Sequence, residues 1–157
     1  MIQCKTAPGA GKDLQWRVTI DHQQSLLQST NYGKPELHYV VEMNQTLSES
    51  CKVKKCDDAK GHKTEGNEVI TLRGKNLGPR NQTAENGMRI RLEVTYGPTG
   101  NEYVCRNPRV IDSKHTQLKC TTYPGVGGML RWKVYVHDQE SIVSSWWTQY
   151  KHTVIKR

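Results

Sequence analysis

The stretch CTTYPGVGGMLRWKVYVHDQESIVSS at residues 120–145 decides the fold, and CKTAPGAGKDLQWRVTIDHQQSLLQS at residues 4–29 repeats it. The two stretches align without a gap and share one Cys, Thr, Pro, Leu, Trp, Val and Gln, two Gly and two Ser. Chance would give about one or two identities over this length. The repetition indicates modular construction, and since the first copy begins in mid-pattern we expect the chain to be cut from an array.

Apolar residues alternate with polar ones through the middle of both copies, which is the pattern of a half-buried strand. A Pro-Gly-x-Gly segment precedes each strand and is typical of a turn, because Gly tolerates positive φ and Pro restricts its own φ. We therefore predict a Trp-centred strand in each copy, with Trp16 and Trp132 in the core. The predicted inward positions are Leu14, Trp16, Val18 and Ile20, and then Leu130, Trp132, Val134 and Val136.

Short β-type segments separated by Gly and Pro continue through the chain, and their spacing of about 8–12 residues is that of a sandwich. The sequence shows no convincing amphipathic helix. The apolar fraction is 34% and Phe is absent, which suits a thin core between two sheets. The sequence predicts an all-β sandwich, with further strands at residues 35–41, 68–78, 90–96, 102–106, 109–111, 117–121 and 146–150.

The chain carries 23 Lys and Arg against 15 Asp and Glu, a formal net charge of +8. These basic residues are spread along the whole chain, which favours a solvated surface over a track for phosphates. Nucleic acid is therefore not an expected partner, and weak attraction to acidic glycans or membrane surfaces fits better. No apolar run of about 20 residues occurs and no signal peptide is recognisable, so any membrane contact or targeting is expected outside this piece.

The five Cys are interpreted through the repeat. Cys105 and Cys120 enclose two predicted short strands and a turn, and a disulfide there would contribute about 3 kcal/mol of stability. Cys51 and Cys56 lie in a polar, Lys-rich connector that a local disulfide would stiffen. Cys4 matches Cys120, so its partner is expected upstream of this piece, and the odd count then follows from truncation.

Two sequons, beginning at Asn44 and Asn81, fall in polar loops and are candidate sites of N-glycosylation. Together with the paired Cys they favour an oxidising compartment, so we expect an extracellular or cell-surface glycoprotein.

No catalytic constellation is recognisable, and we expect a non-enzyme with no catalytic residues and no cofactor. His62 lies near Cys51 and Cys56, but four residues separate the two Cys, and a structural zinc site commonly has about two between them. A fourth ligand is also missing, so a disulfide is preferred to a metal.

Two pairs of adjacent acid and His residues occupy matching positions of the repeat, Asp21 with His22 and His137 with Asp138. Acid–base chemistry is one interpretation of these pairs. A hairpin turn after the Trp strand is the preferred one, because polar residues are expected there and the order is reversed between copies.

Trp146 and Trp147 are adjacent, and successive residues of a strand point to opposite faces, so we expect one indole to be exposed. Both are candidate ligand contacts, for a sugar or a protein partner. A contact between neighbouring domains is the preferred interpretation.

The second unit contains, in this order, the segments EVITLRGKNLG, VTYG, CRNPRVIDSKHTQLKC and YPGVGGMLRWKV. In these segments it resembles the IPT/TIG domain, the immunoglobulin-like fold shared by plexins, Met-type receptors and large surface proteins of protists and oomycetes. A Cys-containing loop before the first strand, at 43–67, is similar to the protist arrays. The pattern departs at its edges, since Thr153 stands where a Pro would follow Tyr150 and Glu65-Gly66-Asn67 replaces a Gly-Gly.

The resemblance implies two units, the C-terminal part of a truncated IPT/TIG domain at residues 1–34 and an IPT/TIG domain at residues 35–157. It implies a non-catalytic module for binding, adhesion or spacing, with a protein or glycan partner at the cell surface and with neighbouring IPT/TIG domains in the same chain. Two alternatives remain at this stage: a DNA-binding IPT/TIG module of an intracellular transcription factor, and a carbohydrate-binding accessory module.

Overall fold

The structure is a computed structural model that describes residues 1–42, 61–80, 82–83 and 87–151. These residues contain strands and loops and no helix, which confirms the predicted all-β class. The strands are β1 (Leu14–Trp16), β2 (Thr19–Ile20), β3 (Gln23–Gln24), β4 (Gln28–Thr30), β5 (Glu36–Glu42), β6 (Val69–Lys75), β7 (Leu92–Gly97), β8 (Tyr103–Val110), β9 (Gln117–Thr121), β10 (Arg131–Val136) and β11 (Gln139–Glu140).

Seven strands form one curled antiparallel sheet in the order β11-β10-β7-β8-β9-β6-β5. The register of β8 shifts between Arg106 and Arg109, so its first part pairs with β7 and its second part mainly with β9. Asn107 adopts a φ of 52°, and Pro108 has no N–H to donate, so the ladder is interrupted at this point. The sheet turns over itself here, and the result is an immunoglobulin-like β-sandwich. We call the described residues from 35 to 151 the sandwich.

The predicted disulfide between Cys105 and Cys120 is confirmed, with the two Cα atoms 5.6 Å apart. Cys105 lies opposite Val94 of β7, whereas Cys120 lies opposite Ile70 of β6. The disulfide therefore ties the two halves of the sheet together beside the bend in β8.

Strand β10 follows the predicted alternation along its whole length, with every second side chain buried. Trp132 and Val134 are fully buried, and Val136 is almost so. A buried aliphatic side chain of this size contributes about 1.5–3 kcal/mol. Buried side chains form one core, to which both halves of the sheet and Ala10 of the N-terminal part contribute: Ala10, Val40, Ile70, Leu72, Leu77, Ile90, Val94, Tyr96, Cys105, Val110, Leu118, Cys120, Leu130, Trp132, Val134, Val136 and Tyr150.

Residues 1–34, which we call the N-terminal segment, form two small ladders that pair β1 with β4 and β2 with β3. The prediction that Trp16 lies in a core is wrong, because its side chain is 40% exposed. Val18 and Ile20 are exposed as well. The physical reason is that, within the described residues, no second sheet covers this face of the segment.

Two predicted strand assignments also need correction. The segments at 102–106 and 109–111 belong to one strand, β8, which continues through its bulge as far as Val110. The segment at 146–150 is not a regular strand, because it makes only isolated bridges from Thr148 to Leu130 and from Tyr150 to His62.

The two matched tryptophans provide a test of where the core lies. We expect Trp132→Ala to lower the free energy of unfolding by about 3–5 kcal/mol, because it empties a fully buried site. Trp16→Ala, the control at the matching position of the repeat, should change it by less than about 1 kcal/mol. Urea denaturation followed by circular dichroism measures both. Equal losses in the two variants would contradict this account of the core.

Candidate binding surface

The two copies of the repeat form the same side-chain hydrogen bonds. The indole N–H of Trp132 donates to Thr148 Oγ1 at 3.0 Å, and that of Trp16 donates to Thr30 Oγ1 at 2.6 Å. The same correspondence holds at the hairpin that follows the Trp strand, where a backbone N–H donates to a Ser hydroxyl in each copy. These bonds are Val134 N to Ser141 Oγ at 3.0 Å and Val18 N to Ser25 Oγ at 3.1 Å.

A tyrosine closes each copy against its Pro-Gly turn. The hydroxyl of Tyr150 donates to the Tyr123 carbonyl at 2.6 Å, and the hydroxyl of Tyr32 donates to the Ala7 carbonyl at 2.6 Å. Each ring lies against the second residue of the turn, and a Cβ placed on Gly9 or Gly125 would lie 2.8 Å from its tyrosine ring. The repeated Gly is needed because only a hydrogen side chain leaves room for the ring.

The turns after the Trp strands match too. Asp21 and His137 both adopt positive φ, 44° and 57°, and each begins a two-residue turn between paired strands. The acid and His pairs therefore lie in hairpin turns, which confirms the interpretation preferred from the sequence.

An aromatic cluster lies beneath the Trp strand of the sandwich. Tyr96 stacks on Trp132 with ring centroids 4.3 Å apart and on Tyr103 at 5.2 Å. The Tyr96 and Tyr150 hydroxyls are 2.7 Å apart, and burial raises the pKa of both. Both hydroxyls therefore stay protonated at neutral pH and serve as hydrogen-bonding groups inside the core.

His62 packs edge-on against this cluster, with its ring centroid 6.0 Å from those of Trp132 and Tyr150. Burial lowers the pKa of His62, although Glu68, whose carboxylate lies 3.7 Å from Nδ1, acts in the opposite direction. The residue that the sequence offered as a weak zinc ligand is thus part of the core. Cys51 and Cys56 lie outside the described residues, so the disulfide predicted between them stays a prediction.

The N-terminal segment contacts the sandwich directly through polar bonds. The backbone N–H of Lys12 donates to the Asp138 carboxylate at 3.2 Å, and Gln139 Nε2 donates to the Tyr32 carbonyl at 3.0 Å. Gln139 is buried. We call this contact the junction. It places the β10–β11 turn of the sandwich against the Pro-Gly turn and the closing tyrosine of the first copy.

A third bond also joins the N-terminal segment to the sandwich. Asn76 Nδ2 donates to the carbonyl of Lys34, at the point where the N-terminal segment continues into β5. A cleft of about 280 Å³ opens beside these contacts, between Pro8 and Tyr32 on one side and His115 on the other. A ligand bound there would contact both parts of the chain.

The N-terminal segment carries a strip of exposed apolar side chains, which we call the apolar strip. It consists of Trp16, Val18 and Ile20, the counterparts of the buried Trp132, Val134 and Val136. Exposed contiguous apolar surface of this kind is typical of interaction sites. The strip is therefore the strongest candidate binding surface among the described residues.

The candidate ligand contacts Trp146 and Trp147 are both half-buried. Trp146 packs against the core, and its Nε1 is buried without a hydrogen-bond partner in the described residues. The expectation that one indole is exposed is wrong, since neither residue lies in a regular strand. Their role in ligand contact stays a prediction, as do the glycosylation sites Asn44 and Asn81, which lie outside the described residues.

Sequence reasoning missed Gln139 and Tyr32 as junction residues. A signal was present, because Gln139 matches Gln23 in the repeat and Tyr32 ends the first copy as Tyr150 ends the second. The repeat alone does not show which side chains meet across the junction, so the role of these two residues could not be predicted from it.

Comparison with protein-family models, with curated proteins and with solved structures finds no match to the chain. In the described part of the chain no helix is long and apolar enough to span a membrane. The structure therefore shows the class of fold, an immunoglobulin-like β-sandwich, and the disulfide between Cys105 and Cys120.

We expect acid to destabilise the sandwich through His62. Its folded-state pKa is lowered, so below the ordinary value of 6.5 the unfolded chain binds a proton that the folded chain does not. This contribution to stability is complete above pH 6.5 and decreases as the pH falls through and below that value, by at most about 1.4 kcal/mol per pH unit.

Urea denaturation between about pH 7.5 and about pH 5 measures the effect. His62→Gln should flatten the dependence, whereas His22→Gln, at an exposed position in the first hairpin, should leave it unchanged. An unchanged slope in His62→Gln would show that burial of this imidazole does not determine the acid sensitivity.

Proposed function

We propose that this chain is part of an extracellular or cell-surface protein built from repeated immunoglobulin-like modules similar to IPT/TIG domains. Residues 35–157 are one module, and residues 1–34 are the C-terminal part of a preceding one. The function is non-catalytic: the modules bind, adhere or hold their neighbours at a set distance.

The observation that carries this proposal is the hydrogen-bond pattern shared by the two copies. The indole-to-Thr bond, the Ser bond at the hairpin and the Tyr bond to the Pro-Gly turn occur in both copies. Thr148 and Tyr150 lie two residues further along the chain than the offset of the repeat would place Thr30 and Tyr32. Two segments with this much common geometry are best explained as the same part of two related modules. The proposal of a tandem array follows from that equivalence.

The junction supports a role in spacing. A spacer must hold successive modules in a fixed orientation, and here the closing tyrosine of the first copy is bonded to the buried Gln139 of the sandwich. Asp138 and Asn76 add bonds at two other points of the same contact. Three hydrogen bonds limit rotation between the parts better than a linker alone does.

The compartment is inferred from covalent chemistry. The disulfide between Cys105 and Cys120 connects two buried sulfur atoms in the core. Structural disulfides persist in oxidising compartments and are rare in the cytosol. The sequons at Asn44 and Asn81 are consistent with passage through a secretory route.

The aromatic cluster supports a non-catalytic role. His62, the most buried imidazole of the described residues, packs against Trp132 and Tyr150. The Tyr96 and Tyr150 hydroxyls are occupied by each other and by the Tyr123 backbone. Groups that could act in acid–base chemistry are therefore used to build the core.

The junction can be tested by mutation. We expect Gln139→Ala to remove a buried hydrogen bond, lower the stability of the contact by about 1 kcal/mol and free the N-terminal segment to reorient. NMR relaxation should then show residues 7–32 tumbling more independently of the sandwich. Gln23→Ala is the matched control, since Gln23 is the exposed counterpart of Gln139. Identical relaxation in both variants would contradict a role of the junction in spacing.

The compartment can be tested on protein isolated from its native source. After alkylation under denaturing, non-reducing conditions, Cys105 and Cys120 should be unmodified. Cys4 should be unmodified as well, because its disulfide partner is expected upstream of this piece. Enzymatic deglycosylation should convert Asn44 and Asn81 to Asp, which mass spectrometry detects. Full alkylation of Cys105 and Cys120 with unmodified asparagines would instead favour the intracellular, DNA-binding alternative.

A further inference from the structure

The charged residues of the sandwich are divided unevenly between the strands of its sheet. In β7, β10 and β11 the cations Arg131 and Lys133 are balanced by the acids Glu93 and Glu140. The edge strand β5 carries acids only at its two ends. Strands β6, β8 and β9 contain no acid, and their cations are Arg73, Lys75, Arg106, Arg109 and Lys119. The positive charge of the sheet is therefore concentrated on these three neighbouring strands.

Three of these cations form a row across the strands, which we call the cation row. Arg109 of β8 lies directly opposite Lys119 of β9. Arg73 of β6 is paired with Gln117, so it lies diagonal to Lys119. All three belong to the outer face of the sheet, since the residues that alternate with them are buried. Like charges at such positions repel each other and destabilise the sheet.

No carboxylate of the described residues neutralises the cation row. Asp112, between β8 and β9, instead accepts hydrogen bonds from Thr116 and from the backbone N–H of Gln117. None of the ion pairs between described residues includes a member of the row: they are His38–Glu36, His62–Glu68, Arg91–Glu93 and Lys133–Glu140. A bound anion would offset the repulsion that these residues leave in place.

Neutral polar side chains and one aromatic ring surround the cation row. Thr71 lies opposite Lys119, and Gln117 lies opposite Arg73. Tyr39 of β5 lies on the other side of Arg73 and is half-buried. Hydroxyl and amide groups can both donate and accept hydrogen bonds, as sugar hydroxyls do. A tyrosine adds a flat apolar ring with a polar tip. The face therefore combines charge with groups that suit a sugar.

We propose that the outer face of β5, β6, β8 and β9 binds an acidic polysaccharide that carries sulfate groups, with the sulfates on the cation row. The two arginines donate paired N–H groups to an oxyanion, and the lysine acts as a point charge. Thr71, Gln117 and Tyr39 contact the sugar rings. This inference rests on the proposed function, since it names the class of partner for a module that binds at a cell surface.

The face is a surface of a complete module. In the proposed array the apolar strip belongs to a module whose other strands precede it in the chain and cover it. Strands β5, β6, β8 and β9, in contrast, all belong to the module at residues 35–157. The cation row therefore stays available when further modules are present on the N-terminal side.

A nucleic acid fits this face less well than a glycan does. Proteins that read DNA place a helix or a β-ribbon in a groove, and the cation row lies on the outer face of a sheet. Affinity for DNA also comes from many phosphate contacts made at once. The neighbouring Arg106 does not extend the row, because its guanidinium donates to Asn67 and lies over the ring of Tyr123.

The probe for the experiment is a heparin hexasaccharide, and isothermal titration calorimetry measures its binding to the full chain at low and at physiological salt. We expect saturable binding that weakens as salt is raised, because the contacts are between charges. Lys119→Gln and Arg109→Gln should each raise the dissociation constant roughly tenfold, since each removes a charge-assisted contact. Arg131→Gln is the matched control. It removes the same charge from an exposed position of β10 and should change the dissociation constant less than about twofold.

A neutral substitution distinguishes recognition of the sugar from attraction by charge alone. Thr71→Val keeps the shape of the side chain and removes its hydroxyl, so the dissociation constant of the hexasaccharide should rise roughly threefold. Binding of inorganic tripolyphosphate, which has charge and no sugar, should be unchanged in this variant. Circular dichroism checks the fold of each variant. Since Arg109 is exposed, Arg109→Gln keeps the test valid even if Lys119→Gln perturbs the sheet.

Four results would overturn the proposal. The first is an absence of binding at low salt, and the second is an equal loss of binding in Arg131→Gln and in the two cation-row variants. The third is unchanged binding of the hexasaccharide in Thr71→Val. The fourth is a single-stranded DNA of matched charge that binds as tightly, because the occupant would then be a nucleic acid. Free thiols at Cys105 and Cys120 in the native protein would instead contradict the proposed function and leave this titration unaffected.

Discussion

The stack between Trp132 and Tyr96 is the contact on which the rest of the sandwich depends. It joins β10 to β7 at the centre of the sheet, and His62 and Tyr150 pack around it from other parts of the chain. The indole N–H of Trp132 donates to Thr148, and the Tyr150 hydroxyl donates to a backbone carbonyl. These two large rings can be buried here because their polar atoms are satisfied.

The same local sequence produces two different environments in this chain. Both copies close with a tyrosine on a glycine and bond their indole to a threonine, so the hairpin geometry is set by short-range contacts. Burial is not set locally. Trp132 is covered because β7 and the other half of the sheet reach it, whereas Trp16 has no such cover among the described residues. The hydrogen bonds within a copy of the repeat therefore do not determine whether its tryptophan is buried.

The junction brings together two different surfaces of the chain. At the turn of the sandwich, Asp138 accepts a bond from the Lys12 backbone and Gln139 donates to the carbonyl of the closing tyrosine, Tyr32. Because the two surfaces differ, the contact is heterologous, and in the proposed array it would repeat from module to module without closing on itself.

The sequence by itself determined the strand class, the alternation in β10, the hairpin turns and the pairing of Cys105 with Cys120. All of these rest on period-two patterning, turn residues or the repeat, which are local signals. Tertiary structure alone decided the bulge that bends β8, the exposure of Trp16 and the bond from Gln139 to Tyr32. It also decided that Trp146 packs on the core and that His62 lies within it. Each depends on which surfaces meet across long separations in the chain, and side-chain periodicity carries no information about that.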